Sequence, residues 1–486
     1  MKEEMMQVIA KVRGLLDENS IEGYLAGGTV RDAVMGRDSD DIDIVIGASP
    51  FKVGRDLASA MNGKFVPLDE VNDIARIALY DEAPLHIDLA KMRGSIAEDL
   101  SLRDFTIDAM AVGLGDIDNL NSSVIDPFGG RGDIESRVVR SISEDAFKQD
   151  PARLLRAVRL ATEFGYEIDG DTLAQIKRNH ALIMQISAER VRDELCRIIA
   201  APKAAVWLRM LDELGLLMAV FPELAETRGA EQPKEHYWDV LQHSFETVAA
   251  IEFLLHIEGS QHFGGDILSL SPWSTELEGY FSEEIAGGRS RMMLLKLSGL
   301  LHDIAKPQTR MFEESGRMRF FGHSQEGAEV VRGIMERLKF SSREREMVCA
   351  MVEHHLRPGQ LARDSELPTR RAVYRYFRDV ADVAIDTIFL NLADHLAARG
   401  PMIEQDKWRE HADTLRYVIE ERFREDGVVK PPKIIDGNDI IGKYGLTPGP
   451  EIGRLLEAVR EAQASGEVAT KEEALSLVKR LIGLQS

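Results

Sequence analysis

Residues 24–46, YLAGGTVRDAVMGRDSDDIDIVI, constrain this chain more than any other stretch. Positions 24–26 read as a short strand, Gly27–Gly28 as a turn, 29–35 as a helix and 42–46 as a second strand. Two glycines between strand and helix let the backbone approach a phosphate closely, and a helix N-terminus favours negative charge. Asp41 and Asp43 stand two residues apart on the second strand, so both carboxylates leave one face. Carboxylates that close repel one another unless a divalent cation lies between them. An all-oxygen donor set beside phosphate suits Mg2+. A glycine pair alone is a turn, and Asp-x-Asp alone is a solvated strand end. The combination, with Arg31 and Asp32 on the intervening helix, is what points to phosphate chemistry.

The first 140 residues go on alternating between helix and strand signals. A charged amphipathic helix opens the chain, another is expected near 51–61, and strands are expected near 77–80, 85–90 and 109–113. This is a small α/β domain. Asp88, in HIDLAKMRG, is either a third carboxylate beside the pair or a strand-end surface residue. From Phe147 the pattern turns helical. FKQDPARLLRAVRLATEFG puts Leu154, Leu155, Val158 and Ala161 on one face, and Asp150 and Arg153 share another. Asp150 followed by Pro151 also makes a good helix cap.

A second constellation follows: His243 in LQHSFET, His302 and Asp303 in LLHDIAKP, His323 in FGHSQEG, His354 and His355 in VEHHLRP, and Asp394 in NLADHLA. Any one histidine is an ordinary core or surface residue. The ordered set of imidazoles and carboxylates suits a transition metal. Between the first two of these segments, residues 258–289 are rich in Gly, Ser and acidic side chains and read as a loop with short helices.

At 486 residues the chain is long enough for several domains, and no apolar run reaches membrane length. Cys196 and Cys349 have no CxxC neighbour, which predicts buried free thiols in a reducing cytoplasm. The net charge of −22 argues against a nucleic-acid partner. Charge is local, however: over 148–209 basic residues outnumber acidic ones, enough for a phosphate-binding strip whose affinity falls with salt.

The pattern GGxVRDxxxGxxxxDxD resembles the head of the class II nucleotidyltransferases, the family of bacterial CCA-adding tRNA nucleotidyltransferases and poly(A) polymerases. LRDFTIDAMA (102–111) is similar to the family's RRDFTINA, used around the nucleotide sugar: Arg103 and Asp104 match, Leu102 replaces Arg, and Asp108 replaces Asn. The last change leaves an acceptor where an amide could also donate. Gln149, Asp150 and Arg153 resemble the EDxxR motif, with Gln149 in place of Glu. The resemblance implies that Asp150 and Arg153 read base edges. ISAERVRDEL (186–195) is similar to the next motif, a packing and RNA-supporting element. The histidine and aspartate series is the signature of HD-domain metal phosphohydrolases. GLTPGPEIG (445–453) resembles the family's C-terminal module, as an inter-helix turn or a holder of tRNA phosphate.

The resemblance implies an α+β multidomain chain. A small α/β nucleotidyltransferase head (1–140) precedes a mostly α-helical neck with a base-selecting motif (141–230), an HD domain (231–425) and a tRNA-binding tail (426–486). It implies nucleotide transfer from ATP and CTP to the 3′ end of tRNA. Asp41 and Asp43 would be catalytic and hold Mg2+. Gly27, Gly28, Arg31, Arg103, Asp104, Asp108, Asp150, Arg153 and Arg156 would bind nucleotide. His243, His302, Asp303, His323, His354 and Asp394 would hold Mn, Ni, Co, Fe or Zn for hydrolysis. The rival readings are an A-adding, CC-adding or poly(A)-forming enzyme of the same fold, and an HD phosphohydrolase whose head only binds nucleotide. A non-catalytic RNA-binding protein is disfavoured by two complete metal constellations.

Overall fold

The computed structural model describes residues 3–39, 41–70, 73–79, 85–361, 367–424, 429 and 432–483. The expected strand end at Tyr80 and the expected domain junction at 425–426 lie outside them. The chain forms two compact units, Met1–Ile198 with Glu213–Val220, and Ile199–Asp212 with Phe221–Ser486.

The first unit is built on a six-stranded sheet. Its strands are β1 (Gly23–Ala26), β2 (Asp41–Ile46), β3 (Gly63–Asp69), β4 (Ile74–Leu79), β5 (His86–Lys91) and β6 (Ala111–Gly113), in the order β3-β4-β5-β2-β1-β6. Helices α1 (Glu3–Glu18) and α3 (Pro50–Ala60) contribute to its main core. In α1, Met5, Val8, Ile9, Val12 and Leu16 recur at helical spacing and are all buried there. In β2 the alternation is equally direct: Ile42, Ile44 and Ile46 enter this core, while Asp41 and Asp43 leave the opposite face. Each apolar side chain fully buried in this way contributes about 1.5–3 kcal/mol. β2 and β5 run parallel with Asp43 directly beside Asp88, so the third carboxylate stands one strand away from the second.

β3 was not expected from the sequence, because GKFVPLD contains Pro67 and buries none of its residues fully. It survives as an edge strand paired with β4, and its register shifts between Pro67 and Asp69, where an edge tolerates proline. Helix α2 (Gly28–Val34) follows β1 directly. Further on, the helix Arg153–Phe164 buries Leu154, Leu155, Val158 and Ala161 as their spacing predicts, and ends at Gly165 with φ +64°.

The second unit is mostly helical. Helices Val240–Leu254, Arg291–Leu301, Ser342–His354 and Ala384–Arg399 pack against one another, and His323–Arg337 packs on Ser342–His354. The first of these is buried nearly all round, and His243, Ser244, Thr247 and Glu252 are among its buried residues. Residues 258–289 form short helices Gly265–Ser269 and Thr275–Ser282 and a small hairpin, anchored where Phe281 meets Phe389 with ring centroids 4.8 Å apart. Helices Gly437–Tyr444, Pro450–Ala464 and Lys471–Leu481 enclose a small core of their own around Ile440, Leu455, Val459 and Val478. Cys196 and Cys349 are both buried, and neither is in a disulfide. Among the described residues no helix is long and apolar enough to cross a membrane.

Candidate functional site

In the first unit a cavity of about 380 Å3 is lined by Gly27, Gly28, Asp43, Asp88, Arg103, Asp104, Asp108, Asp150, Arg153 and Arg156. Residues that the sequence scatters over more than a hundred positions thus share one space. Gly27 takes φ +68°, and a Cβ there would sit 3.0 Å from an Arg103 nitrogen and 3.6 Å from Asp43 Oδ2. Its N–H donates to the Met110 carbonyl at 3.2 Å, so its contribution is the left-handed turn and the missing side chain. Thr29 in the first turn of α2 fixes the aspartate strand: its hydroxyl donates to the Asp41 carbonyl (3.1 Å) and accepts from the Asp43 N–H (2.8 Å).

Burial raises the Asp43 carboxyl to about 6; Arg103 opposes the rise, while Asp88, Asp41 and Asp108 add to it. Such a site favours a cation, and its donors are oxygens, which fits Mg2+. Asp88 is already compensated by two Arg76 hydrogen bonds of 2.7 Å each. Asp41 is exposed at the start of β2 and does not line the cavity. Burial works against charge on Asp104, but Arg156, whose Nε lies 2.9 Å away, and Arg153 outweigh it and hold the carboxyl low.

Arg31, expected at phosphate, does not line the cavity: its guanidinium donates to Asp108 at 2.6 Å and to Asp32 at 3.0 Å and lies 4.6 Å from the Phe164 ring centre. Asp108, which replaces the family's asparagine, therefore supplies a countercharge that an amide would lack. Asp150 and Arg153 meet through the backbone, where the Arg153 N–H donates to the Asp150 carbonyl at 3.1 Å, and their side chains take other partners. Asp150 receives two hydrogen bonds from Arg190 (3.0 and 2.7 Å) and one from the Ala152 N–H (3.2 Å), so it also organises the helix entry. Arg153 donates to the backbone carbonyls of Leu102 (2.7 Å) and Ala146 (3.2 Å).

The second unit gathers a buried histidine and aspartate cluster. His243, His302 and Asp303 form one group of closely facing ligand atoms, and Asp303, His323 and His355 form another. Asp303 belongs to both: Oδ2 lies 3.1 Å from His302 and 3.4 Å from His243, and Oδ1 lies 3.5 Å from His323 and 3.8 Å from His355. Asp394 Oδ1 adds a carboxylate 3.0 Å from His243 Nε2. The Nδ1 atoms of His302, His323 and His355 each face a carbonyl three residues back, at 3.0, 2.8 and 2.6 Å. That hydrogen bond selects the tautomer whose Nε2 lone pair faces the cluster, as ligation requires. Burial pushes His243, His323 and His355 down, the last to about 3, so these rings are neutral and able to bind metal near neutral pH. Lys306, one helical turn after His302, lies 2.5 Å from Asp303 Oδ2.

His354, expected in the cluster, stands outside it, and the ring that enters is that of its neighbour His355. The helix Ser342–His354 ends there, and one residue of helical advance turns a side chain by about 100°. His355 enters the cluster, 3.4 Å from His323, while His354 stands half-buried at the cavity wall. Sequence reasoning also missed Thr29, Arg190 and Lys306. Lys306 alone left a local signal, the i, i+3 spacing from Asp303.

Comparison with known proteins agrees with this arrangement. Residues 23–140 match the poly(A) polymerase head domain, 165–227 the probable RNA- and SrmB-binding site of polymerase A, and 240–399 the HD domain. Head, RNA-binding segment and HD domain define a nucleotidyltransferase of the poly(A) polymerase class. Over 462 residues the chain is 32% identical to the A-adding tRNA nucleotidyltransferase of Deinococcus radiodurans, with 94% of each chain covered. It is 31% identical to the CC-adding tRNA nucleotidyltransferase of Thermus thermophilus, with 93% of this chain and 92% of that one covered. The chain belongs to the family of tRNA nucleotidyltransferases and poly(A) polymerases. Its fold is that of the Thermotoga maritima CCA-adding enzyme complexed with tRNA, at a TM-score of 0.63 and 20% identity over 100% of this chain and 97% of that one.

Proposed function

We propose that this chain adds nucleotides from CTP and ATP to the 3′ end of tRNA without a template, and that its HD domain is a second, metal-dependent phosphohydrolase. The observation that carries the first activity is the single cavity uniting the Gly27 turn, Asp43, Arg103, Asp104, Asp150, Arg153 and Arg156. In the reaction the tRNA 3′-oxygen bonds to the α-phosphorus of the nucleotide and pyrophosphate leaves. Asp41 and Asp43 would hold Mg2+, which when bound supplies positive charge to phosphates and leaving group. Arg103 faces the glycine turn and would pair with the triphosphate. Asp104 and Asp108 would accept from the sugar hydroxyls, Arg31 would position Asp108, and Asp150 and Arg153 would select the base. In this reading 1–140 is the head, 141–230 the neck, 231–425 the HD domain and 426–486 a tail that contacts tRNA, and the protein works in the cytoplasm.

The relatives include A-adding and CC-adding enzymes, so the choice among full CCA addition, partial addition and poly(A) synthesis rests on product. The test is incubation with tRNAs lacking the terminal A, the CA or the whole CCA, with each NTP and Mg2+, and product lengths read on a gel. Absence of any addition overturns the proposal.

For the HD domain the supporting observation is Asp303 shared between two imidazole pairs, which suits one or two transition ions such as Mn, Ni, Co, Fe or Zn. Such an ion supplies an activated water and a Lewis acid. His243, His302, Asp303, His323, His355 and Asp394 would hold it, and Lys306 would balance charge at Asp303. Phosphomonoesters and 2′,3′-cyclic phosphates of damaged RNA ends are the proposed substrates. Water adds to phosphorus, the P–O bond to the 3′ oxygen breaks, and that oxygen takes the proton, which exposes the hydroxyl that the head extends.

A further inference from the structure

The histidine and aspartate cluster adjoins a cavity of about 860 Å3 whose wall includes an exposed aromatic segment. Strands Arg310–Phe312 and Met318–Phe320 form a two-stranded hairpin, and only Phe321 and Gly322 separate it from His323. Gly322 turns the chain at φ +77° into the helix that begins with that ligand histidine. Phe321 is thus tied to the metal cluster through two residues of backbone, yet it is 61% exposed. Leu356, directly after His355 and also lining the cavity, is 39% exposed. Phenylalanine left in water forgoes the stabilisation that burial supplies. Held beside the cavity of the histidine and aspartate cluster, with Leu356 on the same wall, it offers an apolar face to whatever occupies that cavity.

The other lining groups say what kind of ligand. Lys306, Arg317, Arg319 and Arg357 line the same cavity with Glu235 and Glu353; Lys306 is paired with Asp303, Arg319 with Glu313 at 3.0 Å and Arg357 with Asp379 at 2.9 Å. Arg317 is half exposed, and its ion pair with Glu235 is long, at 3.7 Å. Cationic side chains next to an exposed ring suit a molecule with a phosphate at one end and a flat apolar ring at the other.

We propose that Phe321 is the platform on which the nucleobase of the HD site's substrate stacks, with Arg317 and Arg357 on the phosphate side. The substrate is then a nucleotide or the terminal nucleotide of an RNA, and a bare phosphate ester is turned over poorly. Stacking on an aromatic face is tolerant of base identity, because every base has a π-face. This inference rests on the hydrolase reading above.

The test uses the full-length protein loaded with Co2+, and Phe321→Ala and Phe321→Trp variants. Two substrates are compared, adenosine 2′,3′-cyclic monophosphate and the base-free methyl riboside 2′,3′-cyclic phosphate. Phe321→Ala is expected to lower the ratio of kcat/KM for the nucleotide over the base-free ester on the order of tenfold, mainly through KM, with Phe321→Trp restoring it. An unchanged ratio overturns the proposal. A second readout needs no turnover: adenosine 3′-monophosphate should quench the emission added by Phe321→Trp in the metal-free protein. No quenching, measured as the difference from the parent protein, also overturns it. If the parent hydrolyses neither ester, the hydrolase reading fails, and the quenching alone decides whether Phe321 receives a base.

Discussion

The Asp150 carboxylate is held by the guanidinium of Arg190, forty residues further along, through two hydrogen bonds of 3.0 and 2.7 Å. A carboxylate held this way keeps one orientation, as the proposed base selection requires, and the residue that aims it lies in the segment ISAERVRDEL.

Arg190→Ala is expected to release that orientation and alter the preference between CTP and ATP. Both side chains are partly exposed, so stability should change by less than about 1 kcal/mol. Asp150→Asn keeps the acceptor for the Ala152 N–H and loses the charge that Arg190 grips, so it should change selectivity in the same direction. Single-nucleotide addition with each NTP, together with thermal unfolding, checks both variants. Unchanged selectivity in both would leave Asp150 as a helix-entry residue.

Asp43→Ala or Asp43→Asn should reduce addition about a thousandfold or more, the scale of losing a metal clamp. The same change should stabilise the metal-free protein. The Asp43 carboxyl is raised from 3.8 to about 6, so between those values the folded chain holds a proton that the unfolded chain has lost. Stability contributed by this group therefore falls as pH rises across that window and stays reduced above it. Asp43→Asn is expected to add on the order of 1–3 kcal/mol near neutral pH, with the gain disappearing below about pH 4. Denaturant unfolding in EDTA at two pH values tests the sign.

His355→Ala should abolish metal-dependent hydrolysis and lower the bound-metal content, whereas His354→Ala should retain both. The reason is the placement of His355 Nε2 3.4 Å from His323 Nε2, with Asp303 Oδ1 at 3.8 Å. Metal analysis after dialysis and hydrolysis of a cyclic-phosphate substrate separate the two variants. Equal loss in both would contradict the assignment of His355.

Lys296 is fully buried and donates to Glu252 at 2.9 Å and to the Ala201 carbonyl at 3.0 Å, while Glu252 also accepts from the Ala204 N–H. Lys296→Met leaves the Glu252 charge buried without its partner and should cost about 3–5 kcal/mol. Adding Glu252→Gln removes the orphaned charge and should recover part of that loss. Denaturant midpoints of the two variants measure the difference.

The sequence by itself determined the local geometry and the chemistry on offer. Period-2 alternation in β2 set Asp41 and Asp43 on the face opposite Ile42, Ile44 and Ile46. Helical spacing buried Leu154, Leu155, Val158 and Ala161, and the glycine pair marked the tight turn beside the aspartate strand. These follow from backbone periodicities of a few residues, which a short window of sequence contains. Tertiary structure decided what such windows cannot hold. Arg31 meets Asp108 from 77 positions away, the Asp150 carboxylate finds Arg190, and β3 exists because β4 pairs with it. The choice of His355 over His354 turned on one residue of rotation at a helix end, which the packing of the neighbouring helices fixes and no adjacent residue encodes.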